Sequence, residues 1–203
     1  MKHENIILKV IGILFIAFGI SAYVNSLQYG TPGQVFWFCY FALVFIGIGI
    51  LIKKSSIVLT QLNIVTIPLL IWIIDFFYVL ITKGTLFGIT NYFFIGGPIA
   101  GKIISLQHIF TIPLAIFSLY LLKIKREDLW KFSFIEMALI FVISKLFTAE
   151  EYNINCVYRN CMNFSLGPLW FHPYLWLISA FLLVFITNRI FMSLRFIKDK
   201  TKL

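Results

Sequence analysis

The sequence predicts an all-α protein: a polytopic membrane helical bundle of about six transmembrane helices with both termini cytoplasmic. Three observations lead to this fold class. The 203 residues are 61% hydrophobic and have a mean hydropathy of +0.95, which is more apolar surface than a soluble core can bury. The apolar residues form long runs, and short basic clusters separate these runs. We therefore expect a single integral membrane domain over residues 1–203.

Six apolar stretches approach the roughly 20 residues that a membrane-spanning helix needs. The third stretch contains Pro68, a candidate kink, and the fourth contains Pro113. The spans predicted from these stretches cover residues 5–26, 34–52, 57–82, 103–122, 130–147 and 173–196.

The lysines and arginines predict the orientation of the bundle. They are concentrated on alternate connections, together with Lys2, in the clusters Lys53-Lys54, Lys123–Arg126 and Arg195–Lys202. Because cytoplasmic loops carry the excess of Lys and Arg, these clusters and both termini are expected inside. The loops 83–102 and 148–172 then face outward. The first of them is too apolar for a freely solvated loop, so we expect an interfacial segment or a re-entrant cap.

The net charge of +9 does not predict nucleic-acid binding, because the basic residues are spread over several loops. The expected partners are membrane lipids, in a prokaryotic plasma membrane or a eukaryotic endomembrane. Three scattered histidines give no cluster with metal-ligand spacing, so neither a metal nor another cofactor is expected. The sequence carries no signal for an oligomeric state.

Three polar side chains are expected at similar depth in the outer leaflet. Cys39 and His108 each lie five residues inside the predicted outer ends of their helices, roughly 7–8 Å deep, and Asp75 lies roughly 10 Å deep. A thiol needs a base to become nucleophilic, and an acid can fix the tautomer of the imidazole. These residues are therefore candidates for a nucleophile, a base and an orienting group. The alternative is that Cys39 is a small apolar filler.

The outward loop 148–172 carries the other two cysteines. Cys156 and Cys161 are expected to form a structural disulfide in an oxidising compartment, with a redox pair as the alternative. The aromatic residues that follow, Trp170, Tyr174 and Trp176, are typical of an interfacial belt. His172 lies among them, and both an interfacial and a substrate-binding role are open.

Several stretches resemble six-helix integral membrane proteins of the YwaF type and their eukaryotic relatives, which include a phospholipid acyltransferase. The similar segments are "FCYFALVFIGIGILIKK", "LQHIFTIPLAIFSLYLL", "YNINCVYRN" and "LGPLWFHPYLW". A more distant likeness is to the androgen-induced family of membrane lipid hydrolases. Bacterial relatives usually have a histidine shortly before the cysteine and an acid just after it. This chain instead has Phe36–Phe38 and Tyr40 at these places.

The resemblance implies a lipid acyltransferase or lipid esterase with Cys39 as nucleophile and His108 as its partner. An acyl-cysteine would form, and water or a second lipid would take the acyl group. The substrate-binding residues expected around this site are Trp37, Phe38, Tyr40, Asn153 and His172.

Two other functions remain open from the sequence. In a small transporter or permeability protein, Asp75, Glu136 and Lys145 would line a polar path, since intramembrane charges often mark such paths. In a noncatalytic membrane scaffold, Cys39 would only fill space.

Overall fold

The described part of the chain folds into eight α-helices joined by short 3₁₀ turns. The structure is a computed structural model, and it describes residues 2–30, 32–162 and 167–198. Residues 163–166 of the loop 148–172 and the basic tail from residue 199 onward lie outside the described residues. The helices are α1 (Lys2–Tyr29), α2 (Phe38–Leu51), α3 (Ser55–Thr82), α4 (Asn91–Phe94), α5 (Ile99–Ser105), α6 (Gln107–Leu122), α7 (Trp130–Phe147) and α8 (His172–Ser193).

Four segments in the described residues are long and apolar enough to cross a membrane. They are His3–Tyr29, Ser55–Thr82, Ile99–Leu122 and Leu169–Ser193. Their mean hydropathies, from 1.6 to 2.5, are those of membrane spans. The prediction of an integral membrane protein built from helices is therefore confirmed.

The other two predicted spans differ from these four for separate physical reasons. Helix α2 has only 14 residues, about 21 Å of length, because Pro32–Phe36 forms a 3₁₀ turn before it. Helix α7 begins and ends where the sequence predicts, at Trp130 and Phe147. It carries three charged residues, which lower its hydropathy: Lys131, Glu136 and Lys145.

The fourth predicted span is interrupted at one residue, Leu106, whose backbone angles (φ −63°, ψ −14°) stay helical within the apolar segment Ile99–Leu122. Helix α5 ends at Ser105 and α6 begins at Gln107, with Leu106 serving as the boundary of both helices. Helix α6 then continues through Pro113, and α3 likewise continues through Pro68. The interruption places His108 at the second position of α6.

The basic clusters meet at one end of the bundle, which we call the basic end. Lys53 donates to Asn5 at 2.7 Å, Lys123 donates to the carbonyl of Phe196 at 2.8 Å, and Lys198 pairs with Glu127 at 3.2 Å. The Cys156–Cys161 disulfide lies at the opposite end, which we call the disulfide end. The chain thus separates its basic clusters from its disulfide by the height of the bundle.

Helices α1 and α2 pack closely because glycines remove side chains from their interface. A Cβ at Gly47 would lie 2.6 Å from the Cγ1 atom of Ile16 and 2.7 Å from the carbonyl oxygen of Gly12. A Cβ at Gly19 would lie 2.6 Å from a methyl group of Val44. Small residues at such positions let membrane helices approach and gain van der Waals contact.

A polar network joins α3, α7 and α8 in the half of the bundle nearer the basic end. The amide of Asn63 donates to Ser133 Oγ at 3.2 Å and to Asn188 Oδ1 at 3.1 Å. Asn188 donates in turn to the carbonyl of Glu127 at 3.0 Å. Because all three side chains are buried, these bonds hold the helices in one relative register.

We expect Gly47→Ala to lower the free energy of unfolding by about 1–3 kcal/mol, since the new methyl group meets backbone oxygen and α1 must move away. Thermal unfolding in detergent, followed by size-exclusion chromatography, measures the change. The matched control is Gly101→Ala, whose new Cβ would lie 3.4 Å from its nearest neighbour, Asn25 Nδ2. Equal losses of stability in the two variants would contradict this account of the interface.

Candidate functional site

Cys39 lies at the second position of α2, near the disulfide end, and its side chain is half-buried. It is the free cysteine of the described chain. Residues 39, 43, 46 and 50 share one face of a helix because they are spaced by three or four. Leu43, Ile46 and Ile50 are buried in the main core, so this face is directed to the interior of the bundle.

His108 lies at the equivalent position of α6, one residue after the helix begins. Residues 108, 115 and 119 fall on one face, and Ala115 and Leu119 belong to the same core as the buried face of α2. The thiol and the imidazole are therefore both placed at the start of helix faces that converge on one core.

Three further side chains, those of Trp72, Tyr92 and Ser105, form a connected group next to the imidazole. The Cys39 thiol and the Tyr92 hydroxyl group are near enough for their charges to influence each other. Tyr92 accepts a hydrogen bond from Trp72 Nε1 at 3.1 Å and donates to Ser105 Oγ at 3.1 Å. The ring of His108 stacks on Trp72, with centroids 4.5 Å apart and planes inclined by 17°. We call Cys39, Trp72, Tyr92, Ser105 and His108 the thiol–histidine cluster.

The hydrogen bond of His108 defines its tautomer. His108 Nδ1 contacts the carbonyl oxygen of Ser105. Because a carbonyl oxygen can only accept, Nδ1 carries the proton in this bond. In the neutral ring, the lone pair then lies on Nε2, which is the nitrogen that could act as a base.

The two reactive groups of the cluster, the Cys39 thiol and the His108 imidazole, are not bonded to each other. Within residues 32–162, no hydrogen bond joins the Cys39 sulfur to the His108 ring. His108 instead stacks on Trp72, and Trp72 bonds to Tyr92. Contact between the Cys39 sulfur and the His108 ring thus stays a prediction.

Asp75 does not have the predicted orienting geometry, because its carboxylate is used by a loop. Oδ1 accepts from the backbone N–H groups of Phe87 at 2.7 Å and Gly88 at 3.3 Å. Oδ2 accepts from the backbone and the hydroxyl group of Thr90 at 2.8 and 2.7 Å. These bonds anchor the loop immediately before Tyr92. The group that orients His108 is the Ser105 carbonyl.

The same loop, residues 83–102, folds back onto α3, although most of its residues from 92 to 100 are exposed; we call this loop the cap. Its short helix α4 places Phe93 and Phe94 against Phe76, with ring centroids 5.0 and 5.5 Å apart. Lys102 lies over the ring of Phe93 at 6.0 Å. The cap is therefore held from two sides, by a buried carboxylate and by aromatic packing.

The aromatic neighbours of Cys39 leave α2 in different directions, because successive residues of a helix are about 100° apart. Trp37 precedes the helix, and its carbonyl accepts from the Tyr40 amide at 3.0 Å. Phe38 packs against the cluster around Ala42. Tyr40 accepts from Ser26 at 3.4 Å. Phe38 and Tyr40 therefore contact different parts of the bundle, and a shared substrate wall stays a prediction.

Asn155 fixes the start of α2 to the disulfide end. Its amide donates to the carbonyl of Phe36 at 2.7 Å and to Ser144 Oγ at 2.9 Å. Its side-chain oxygen accepts from the Phe38 amide at 3.0 Å. Its carbonyl accepts from Trp176 Nε1 at 2.9 Å. The residue just before Cys39 is thus held by the loop 148–172.

Asn153 and His172 organise that loop. Asn153 Oδ1 accepts from the amides of Tyr158 and Arg159, each at 3.0 Å, and its amide donates to the Arg159 carbonyl at 2.8 Å. His172 Nε2 contacts the carbonyl of Cys156 at 2.8 Å. Cys156 is joined to Cys161 by a disulfide with Cα atoms 5.5 Å apart. The sequence predicts that Asn153 and His172 bind substrate. In the structure, the contacts of both residues hold this loop in place.

The charged residues of the predicted polar path have separate partners. Glu136 accepts from Gln61 Nε2 at 2.8 Å, whereas Lys145 lies 3.8 Å from the ring centre of Tyr158. Glu136 lines a cavity of about 580 Å³ between α2, α3 and α7, and neither Asp75, Lys145, Cys39 nor His108 lines it. The structure therefore does not bring the three charges to one surface.

Sequence reasoning missed Trp72, Tyr92 and Ser105. Trp72 precedes Asp75 by three residues, and Ser105 precedes His108 by three residues, so both share a helical neighbourhood with a predicted site residue. Tyr92 lies next to Asn91 and two residues after Thr90, so its hydroxyl group is not a distinctive signal in this loop. Comparison with protein-family models, with curated proteins and with solved structures found no match for this chain.

We expect Asp75→Ala to release the loop at residues 87–90, because three backbone N–H groups lose their acceptor. The variant should lose about 3 kcal/mol of stability and should exchange amide hydrogens faster in this loop, as measured by mass spectrometry. Thr90→Val removes only one of the bonds, that of the hydroxyl group, and serves as the milder control. Unchanged exchange at residues 87–94 in Asp75→Ala would show that the carboxylate does not anchor the cap.

Proposed function

We propose that this protein is a membrane-embedded acyltransferase or esterase that acts on lipids, with Cys39 as the nucleophile. The observation that carries the proposal is the thiol–histidine cluster. It places a free thiol and an imidazole with an available Nε2 on converging helix faces. Both lie near a helix end, the depth at which lipid ester bonds meet the protein.

The proposed chemistry proceeds through an acyl-cysteine. His108 Nε2 takes the proton of Cys39, and the sulfur attacks the carbonyl carbon of a lipid ester. The ester C–O bond breaks, the leaving alcohol takes the proton from His108, and a thioester remains. A water molecule or a lipid hydroxyl then attacks the thioester carbonyl and gives its proton to His108. The C–S bond breaks, and the leaving sulfur takes the proton back from His108, which restores the thiol and the neutral imidazole.

The cluster must rearrange for the first step, since no hydrogen bond joins thiol and imidazole in residues 32–162. An uncharged thiol is a poor nucleophile, so catalysis requires His108 to reach the sulfur. The stack of His108 on Trp72 and the hydrogen bond from Trp72 to Tyr92 are the contacts that a substrate would have to displace. The apolar cap of residues 83–102 would exclude water from the reaction.

The transporter hypothesis finds less support in the contacts. Asp75 bonds to the loop at residues 87–90, Glu136 bonds to Gln61, and Lys145 lies over the ring of Tyr158. A conduction path would need these groups to share a wet surface. In the scaffold hypothesis Cys39 is packing alone, and reactivity of the thiol decides between that hypothesis and an enzyme.

We also propose that α2 and α7 complete a six-span topology with both termini cytoplasmic. Support comes from the convergence of the basic clusters on one end of the bundle and from the position of the disulfide at the other. Disulfides persist in oxidising compartments, whereas Lys and Arg are retained on the cytoplasmic side.

The nucleophile is tested with a long-chain activated ester that transfers its acyl group to reactive thiols. We expect stoichiometric acylation at Cys39, because the other two cysteines are joined in a disulfide. Cys39→Ala should abolish labelling at a cost to folding on the order of 1 kcal/mol. His108→Ala should slow it by about 10²-fold, as loss of a general base does.

The control for this experiment is His3→Ala, which removes an exposed imidazole at the start of α1, at the basic end of the bundle. This variant should acylate at the wild-type rate. Intact mass spectrometry over time measures each rate. Acylation of the Cys39→Ala variant, or equal rates in both histidine variants, would rule out the proposed pair.

The topology is tested with Lys125→Cys and Glu150→Cys, each introduced into a Cys39→Ala background. Both native residues are exposed, at the basic end and the disulfide end, respectively. A membrane-impermeant maleimide added to intact cells should label position 150 and not position 125, which becomes accessible after lysis. Labelling of both positions from the same side would refute the six-span arrangement.

A further inference from the structure

A lateral groove between α2, α3 and α7 is separate from the thiol–histidine cluster. Its volume is about 580 Å³, within the range of small-molecule sites. Its floor includes buried side chains, among them Gln61, Leu129 and Ile140, and its rim includes the exposed Phe45 and Leu139. The groove is therefore open sideways, where acyl chains contact a membrane protein.

One wall of the groove is polar in the half nearer the basic end. Gln61 donates to Glu136 Oε2 at 2.8 Å, and the Thr60 and Ser56 side chains line the same region. Glu136 follows the start of α7 by six residues, which is roughly 9 Å along the helix. The carboxylate is thus placed below the basic end, where the glycerol part of a lipid would meet hydrocarbon.

The charges of the groove favour a neutral ligand that donates hydrogen bonds. A carboxylate accepts hydrogen bonds and repels a phosphate group. Arg126 also lines the groove, but its guanidinium group pairs with Asp128 at 3.0 Å and lies 5.4 Å from the ring centre of Phe132. The guanidinium charge is consequently balanced before any ligand arrives.

We propose that the lateral groove binds an acylglycerol with a free hydroxyl group. The hydroxyl group donates to Glu136, whose other partner is Gln61, and the acyl chain lies along Phe41, Phe45 and Ile143 toward the disulfide end. This site does not depend on the proposed acyl transfer, because neither Cys39 nor His108 lines it. It would hold a neutral lipid whether or not the protein is an enzyme.

The test uses a monoacylglycerol that carries a photoreactive diazirine in the middle of its acyl chain. The protein is reconstituted into phosphatidylcholine nanodiscs and irradiated, and labelled peptides are mapped by mass spectrometry. We expect saturable labelling within residues 36–61 and 129–143, and competition by unlabelled monoacylglycerol. Cys39→Ala should label like the wild type, which separates this proposal from the proposed function.

Two variants probe the two parts of the groove. Glu136→Leu removes the acceptor and should reduce labelling at subsaturating probe about tenfold, as expected for losing a hydrogen bond to a charged group. Ile143→Trp fills the apolar part and should block labelling without touching the carboxylate. Its control is Ile74→Trp, which adds the same bulk at an exposed position of α3 outside the groove. Size-exclusion profiles verify that each variant folds.

Two further probes discriminate the ligand class. A diazirine-bearing phosphatidic acid should label the groove weakly, because its phosphate group meets the carboxylate. Preferential labelling by that lipid, or by a diazirine-bearing sphingoid amine, would overturn the assignment to a neutral acylglycerol. Undiminished labelling in both Glu136→Leu and Ile143→Trp, or labels spread evenly over the exposed face of α1, would refute the site itself.

Discussion

The side chain of Asn155 is the contact on which the disulfide end depends. One amide group bonds three partners, at Phe36, Phe38 and Ser144, and so ties the loop 148–172 to the start of α2 and the end of α7. Asn155 itself has a φ of 54°, a left-handed conformation that asparagine tolerates better than most residues. The loop that carries it is closed by the adjacent disulfide. A covalent ring outside the bundle thereby fixes the backbone next to Cys39.

A second anchor positions the other half of the thiol–histidine cluster. Asp75 holds the loop at residues 87–90, and two residues later Tyr92 reaches Trp72 and Ser105. The positions of the cluster residues therefore depend on two anchored loops, residues 148–172 and 83–102, as well as on the helices. Buried polar bonds of this kind specify a unique arrangement because the alternatives leave charges or amides unsatisfied.

The sequence predicts the helices better than it predicts the site. Hydrophobic length alone places α7 at residues 130–147 and α3 to within two residues, since the membrane demands such runs. The interruption at Leu106 could not be predicted, because neither glycine nor proline marks it. The orienting group of His108 is a backbone carbonyl, which has no sequence signature. Asp75 looked like a site residue because depth along a helix does not reveal which loop folds back onto it.

The network of Asn63, Ser133 and Asn188 has a consequence for how the chain is made. Asn63 and Asn188 are 125 residues apart, so a ribosome that adds 5–20 residues per second leaves an interval of roughly 6–25 s between them. During that interval α3 carries an amide with no partner from α8, and an unsatisfied amide in hydrocarbon is costly. Water, lipid headgroups or the insertion machinery must therefore shelter Asn63 until the last helix is synthesised. The time for which Asn63 must be sheltered is therefore set by the number of residues between the two asparagines.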